Sequence, residues 1–168
     1  MSSLEIPIIV QAPDGHPFLP ELDLCLDPHR PQDFAFVSHA HADHFAAHRR
    51  IVCSTETRRL IEGRFGAKRA TFLDAPLGES IERDGFRLRF LSAGHIAGSA
   101  QLRVERLSDG ATLVYTGDFK LRRALASEPT EVLHADTVIM ETTFGLPKFR
   151  LPPADEVIAA MAKFARET

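Results

Sequence analysis

The sequence predicts an α/β fold, with short strands separated by turns and helices set between them. Two patterns lead there. Apolar or alternating runs bounded by Pro, Asp and Gly recur along the chain, as strands do. Two other segments repeat their apolar residues at helical spacing behind a start signal. With 168 residues, 44% apolar and 26% charged, the chain suits one globular domain and is neither disordered nor fibrous.

Taken in order, residues 6–10, 22–26 and 34–37 read as strands. Residues 55–65 read as a helix carrying Leu60, Ile61 and Phe65, with Ser54 as N-cap. Phe86, Leu88 and Phe90 alternate with Arg87 and Arg89, a half-buried strand. Leu102, Val104 and Leu107, the Asp109-Gly110 turn and residues 112–115 make a hairpin. Residues 138–140 read as a buried strand. After Pro152-Pro153, residues 154–166 place Val157, Ile158, Met161 and Phe164 on one helix face, which calls for a covering partner.

Composition excludes several classes. No apolar run approaches the ~20 residues of a membrane span, and the start lacks the pattern of a secretory signal. Cys25 and Cys53 make no disulfide framework, so a reducing, cytoplasmic setting is expected. A net charge of −3 gives no bulk attraction for nucleic acid, so any such binding rests on a local patch. Sixteen of the twenty basic residues are Arg, as a GC-rich genome would encode and as phosphate recognition would also use.

The strongest chemical signal is Ser38-His39-Ala40-His41-Ala42-Asp43-His44, directly after a strand. Imidazole and carboxylate suit zinc and related divalent ions. The i, i+2 spacing turns His39 and His41 to one side, while Asp43 and His44 point elsewhere, so the group can serve two adjacent ions. A His-rich surface loop is the competing reading, weakened by the preceding strand and the interleaved Asp. Gly94-His95-Ile96-Ala97-Gly98-Ser99 and Thr116-Gly117-Asp118 each place one more ligand type beside glycine at a strand end.

This series resembles the metallo-β-lactamase fold superfamily. Gly94-His95-Ile96-Ala97-Gly98-Ser99-Ala100 and Met140-Glu141-Thr142-Thr143-Phe144-Gly145 are similar to its β-CASP nuclease branch. Residues 141–150 and Leu26-Asp27-Pro28-His29-Arg30-Pro31 resemble the bacterial exonuclease-like members, which include DNA-ligase-associated exonucleases and relatives of mRNA 3′-end processing nucleases. The resemblance implies a four-layer αββα sandwich and a metal-dependent nuclease that hydrolyses DNA or RNA through a hydroxide activated by two divalent ions, zinc or manganese. It implies that His39, His41 and His95 hold one ion and Asp43 and His44 the other, with Asp118 bridging. Asp43 would also act in catalysis by taking the nucleophile's proton. Asp27 would orient the histidine loop from behind, and Glu141 would assist proton transfer. DNA repair or RNA-processing proteins would be partners.

The chain departs from the family in one respect. The last histidine ligand and the β-CASP histidines lie downstream of Thr168 in the family pattern, so residues 1–168 are expected to be an N-terminal part, incomplete at its C-terminal side. Poor solubility or self-association of this part is expected. His16, His29, His48 and His134 read as structural or surface residues. Lys120, Arg122, Arg123, Lys148 and Arg150 can contact phosphate or simply face solvent, and no aromatic platform for bases is visible. A glyoxalase II-like thioesterase and an inactive fragment or scaffold subunit are the alternatives. The first is disfavoured because the third motif reads Ser-Ala-Gly-His-Ile, the second because every ligand position covered is filled.

Overall fold

In the computed structural model, residues 10–11 and 15–167 are described. The expected strand at 6–10 lies outside them except for Val10. Two sheets pack face to face. The first has six strands in sequential order: β1 (Val10–Gln11), β2 (Pro17–Leu19), β3 (Leu24–Leu26), β4 (Phe34–Phe36), β5 (Arg50–Ser54) and β6 (Thr71–Ala75). Pairing is antiparallel from β1 to β3 and parallel from β3 to β6. The second sheet runs β11 (Thr137–Ile139), β10 (Thr112–Tyr115), β9 (Ala100–Arg106), β8 (Phe86–Ser92), β7 (Ser80–Arg83). It is antiparallel except for the β10–β11 pair.

Alternation along the strands explains the layering. Leu24, Leu26, Phe36 and Val52 of the first sheet meet Leu88, Phe90, Leu102, Val104 and Leu113 of the second in one core. Ile51 and Cys53, one residue out of phase with Val52, face the other way with Val37 and Ala40 and pack against Ile61 of α1 (Thr55–Phe65). Ser54 caps α1 by accepting from Thr57 N at 3.0 Å, and Gly66 ends it in the left-handed region. Of the three apolar residues expected to define the helix's inner face, only Ile61 is buried; Leu60 and Phe65 are 37% and 36% exposed.

Three differences from the sequence expectations have physical causes. The strand expected at 22–26 begins only at Leu24, because Pro20–Leu22 forms a 3-10 turn closed by Asp23 at φ 51°. The strand at 138–140 is not buried: β11 pairs only with β10 at the sheet edge, which leaves Val138 and Met140 each 53% exposed. The final helix, α2 (Ala154–Glu167), forms as its periodicity requires, yet none of its described residues is buried. The α, β and β layers of the expected αββα sandwich are therefore present. Among the described residues no helix covers the outer face of the second sheet. Both cysteines are buried, and neither forms a disulfide among the described residues.

Candidate metal centre

All the predicted site residues come from one end of the sandwich, where β3, β4, β10 and β11 finish and the β8–β9 loop turns. Asp27 follows β3 in the left-handed region at φ 44°, a conformation Asp tolerates better than most residues. It stands behind the histidine loop. Its Oδ1 accepts from Ser38 N at 2.7 Å and its Oδ2 from the Tyr115 hydroxyl at 2.9 Å. The loop itself is pinned where Ala100 N donates to Ser38 O (2.8 Å) and where Arg64 of α1 donates to Ala40 O (2.5 Å). Residues Ala42–His44 then make a single 3-10 turn, which brings the His44 ring to 4.2 Å (centroid to centroid) from that of His39.

His95 sits on a tight loop between Gly94 and Gly98, both at positive φ. The Ser99 hydroxyl accepts from the His95 and Ile96 backbone amides (3.0 and 3.2 Å). Asp118 follows β10 through Gly117 at φ 53°. A Cβ at Gly117 would stand 2.6 Å from that of Ser38, so glycine is required where these two segments cross.

The side chains meet in two adjoining groups. His41 Nδ1 lies 2.9 Å from His39 Nε2 and 3.2 Å from His95 Nε2, and His95 Nε2 lies 3.7 Å from Asp118 Oδ2. On the other side His44 Nε2 faces Asp118 Oδ1 at 3.6 Å and Asp43 Oδ2 at 3.9 Å. Asp118 thus presents one oxygen to each group. His39 Nδ1 is taken up by the Ser38 hydroxyl at 2.9 Å, which leaves Nε2 as its outward nitrogen.

Hydrogen bonds among the three imidazoles cannot satisfy this packing, because His41 Nδ1 can pair with only one of the two nitrogens facing it. A divalent ion satisfies all three. Tetrahedral nitrogen ligands at about 2.0–2.1 Å from zinc stand roughly 3.3 Å apart, close to the separations observed. The electrostatics agree. Burial, with the neighbouring His44 next, lowers the His39 pKa to about 3, so its ring is neutral with a lone pair to donate. Burial raises the Asp118 pKa against the pull of His44. Burial alone would lower that of His44, but its contact with Asp27 (Nδ1–Oδ2 3.2 Å) and the charges of Asp118 and Asp43 reverse the sign. That contact is an ion pair without hydrogen-bond alignment. This cluster can hold divalent metal.

Glu141, the remaining predicted residue, follows β11 and reaches the same end. Its carboxylate accepts from Phe119 N (3.1 Å), one residue beyond Asp118, and from the Thr143 hydroxyl (2.7 Å).

No family profile matches the chain. It is 47% identical over 154 residues to a probable DNA ligase of Opitutus terrae, a match covering 90% of this chain and 15% of that protein. It is 24% identical over 141 residues to the DNA cross-link repair protein SNM1 of Arabidopsis thaliana, covering 79% of this chain and 28% of the relative. With these relatives, the chain resembles the metallo-β-lactamase fold superfamily, β-CASP branch. The chain thus spans less than a third of either relative's length. Among solved structures the metallo-β-lactamase fold protein YhfI from Bacillus subtilis is similar at TM-score 0.44 and 12% identity, over 67% of this chain and 60% of that one.

Some contacts at this site were not legible in the sequence. His29 is a surface residue, as expected; it bonds through Nδ1 to the Asp43 backbone O at 2.6 Å, and its ring stands 6.5 Å from that of His44. The signal was its place two residues after Asp27. Ser38 opens the histidine motif but has no role assigned from sequence, and Tyr115 is marked only by its position at a strand end. His48 is buried away from the centre and His134 is exposed, as expected. Of the basic residues weighed for phosphate contact, Lys120 reaches the site, its ammonium 3.4 Å from His95 O. Lys148 instead lies over the Phe149 ring.

Proposed function

We propose that this chain is the N-terminal, metal-holding part of a nuclease that hydrolyses phosphodiester bonds in DNA. His39, His41, His95 and Asp118 hold one zinc ion; Asp43, His44 and Asp118 hold a second, which a ligand from outside these residues completes. The observation that carries this reading is the two-sided placement of Asp118, one carboxylate oxygen toward His95 and the other toward His44. Three imidazoles in the first group favour zinc over manganese. The names of the relatives, a probable DNA ligase and a DNA cross-link repair protein, favour DNA over RNA and suggest partners in repair or ligation.

Bound ions would neutralise the phosphate oxygens and lower the pKa of a water between them. The chain's own groups do the rest. Asp43, whose side chain is 75% exposed, has carboxylate surface free to accept the nucleophile's proton. Asp27 holds the histidine loop through Ser38 N and braces His44. Glu141, kept in place by Phe119 N and Thr143, stands beside the bridging acid to move a proton near the leaving group. Lys120 meets the phosphate's remaining charge. Among the described residues no helix is long and apolar enough to cross a membrane. The buried thiols of Cys25 and Cys53, not joined in a disulfide, suit a reducing cytoplasm.

The test is to load the protein with zinc or manganese and offer end-labelled DNA, the matching RNA, and a glutathione thioester. Metal-dependent shortening or nicking of DNA, lost in His39→Ala, is expected. Thioester cleavage with both nucleic acids left intact would overturn the reading.

A further inference from the structure

The chain after Asp118 does not leave the site; it doubles back over the loop that carries His95. Residues 127–131 lie across that loop and bond to it repeatedly. The Ser127 hydroxyl donates to Gly94 O at 2.9 Å, and Glu128 accepts from Gly98 N at 3.0 Å through its side chain and from the Ser92 hydroxyl at 3.2 Å through its carbonyl. Glu131 N donates to Ser92 O at 3.1 Å, and Gln101 Nε2 closes the group on Glu131 O at 2.6 Å. Lys120 N adds a bond to Ala93 O at 2.9 Å. In the middle sits Thr130. Its hydroxyl lies between Lys120 O, to which it donates, and Ala93 O at 3.1 Å, so one group ties the segment after Asp118 to the segment before His95. A Cβ at Gly94 would collide with that hydroxyl, and glycine there is what lets the two segments close.

We infer that residues 127–131 are a clamp that positions His95 for metal, and that Thr130 is its positioning residue. The physical reason is the loop's shape. His95 hangs on a turn between two glycines, which are permissive in φ and supply no packing of their own. On the other flank the loop is held by α1, where Ser54 and Thr57 both donate to Gly98 O (2.6 and 2.9 Å). That grip falls three residues after His95. The clamp grips Ala93 and Gly94, just before it, and connects them to the strand end that supplies Asp118. Two ligands from separate loops are thereby kept at one spacing before any ion arrives.

The inference rests on the reading of His95 and Asp118 as ligands of one ion, so the experiment separates the two. Cobalt(II) is titrated into the chain, its visible ligand-field spectrum is recorded, and amide hydrogen exchange is measured at residues 93–96 in the metal-free chain. Thr130→Val keeps the shape and removes the hydroxyl; Thr130→Ser restores it. The valine variant should bind cobalt about tenfold more weakly, as loss of an outer support does, with an altered spectrum and faster exchange at 94 and 95, and serine should recover all three. Ser127→Ala, which removes the bond to Gly94 O, supplies the same readouts if the valine variant does not fold. Cobalt binding, spectrum and exchange unchanged in a folded variant would overturn the clamp alone. No cobalt binding by the unsubstituted chain would overturn the metal reading and the clamp with it.

Discussion

The Tyr115 hydroxyl donates to Asp27 Oδ2 at 2.9 Å across 88 residues of sequence and from one sheet to the other. It crosses the sandwich at the end where the ligands gather, on the same carboxylate oxygen that faces His44 Nδ1. Burial, then the charge of Asp27, pushes the phenol's pKa up, so it remains a donor throughout the accessible pH range. Tyr115→Phe should cost about 2 kcal/mol, the range for a hydrogen bond to a charged group, and should loosen His44. Urea unfolding measures the first effect and zinc affinity the second. A variant as stable as the parent would show that the bond contributes nothing net.

Metal should stabilise this fold as a ligand that binds only the native state. Adding zinc is expected to raise the melting temperature and a chelator to lower it again. His39→Ala, which removes a fully buried imidazole beside His41, should abolish the shift. Differential scanning fluorimetry with and without chelator reads it directly. An equal shift in the variant would place the ion elsewhere.

Gly117 marks where β10 crosses the histidine loop. Alanine there must adopt φ near +53° and bring its Cβ against the Ser38 side chain, whose hydroxyl holds His39 Nδ1. The left-handed backbone and the overlap together should cost roughly 2–4 kcal/mol. Chemical denaturation would report the loss, and zinc affinity should fall with it. A stable variant with unchanged metal binding would contradict this account of the crossing.

His48 provides a pH signature separate from the metal centre. It is 3% exposed, and Gln32 N and Ala46 N face its two ring nitrogens at 3.1 and 3.2 Å, so an added proton meets donors. Burial lowers its pKa to about 4. Because the folded value lies below the unfolded one, near 6.5, the contribution is complete above about pH 6.5. It erodes as pH falls toward 4 and is then exhausted. The difference is worth about 3 kcal/mol at most. His48→Gln keeps an acceptor but cannot be protonated, so its stability should decline less than the parent's between pH 6.5 and 4. Parallel curves would refute the assignment.

Much of the centre was legible in one dimension because its ligands come in short runs with strict local geometry. The alternation of His39 and His41, the turn that redirects Asp43 and His44, and the glycines beside His95 and Asp118 are properties of neighbouring residues, readable without a fold. So were α1 with its Ser54 cap and the β9–β10 hairpin. Burial was less so. Val138 and Met140 have the composition of core residues, but whether a strand is central or at an edge depends on what pairs beyond it, which no local pattern encodes.

By itself the sequence singled out the candidate side chains, imidazoles and carboxylates of the types that bind metal, and their place after strand ends. Only the tertiary structure decided their company. Tyr115 reaches Asp27, His29 reaches Asp43 and Thr130 closes over Gly94 because two sheets end at the same height and their loops must share that space. A hydrogen bond forms between groups that packing brings within about 3 Å. For residues tens of positions apart, that proximity is set by how the sheets twist and stack, not by the residues between them.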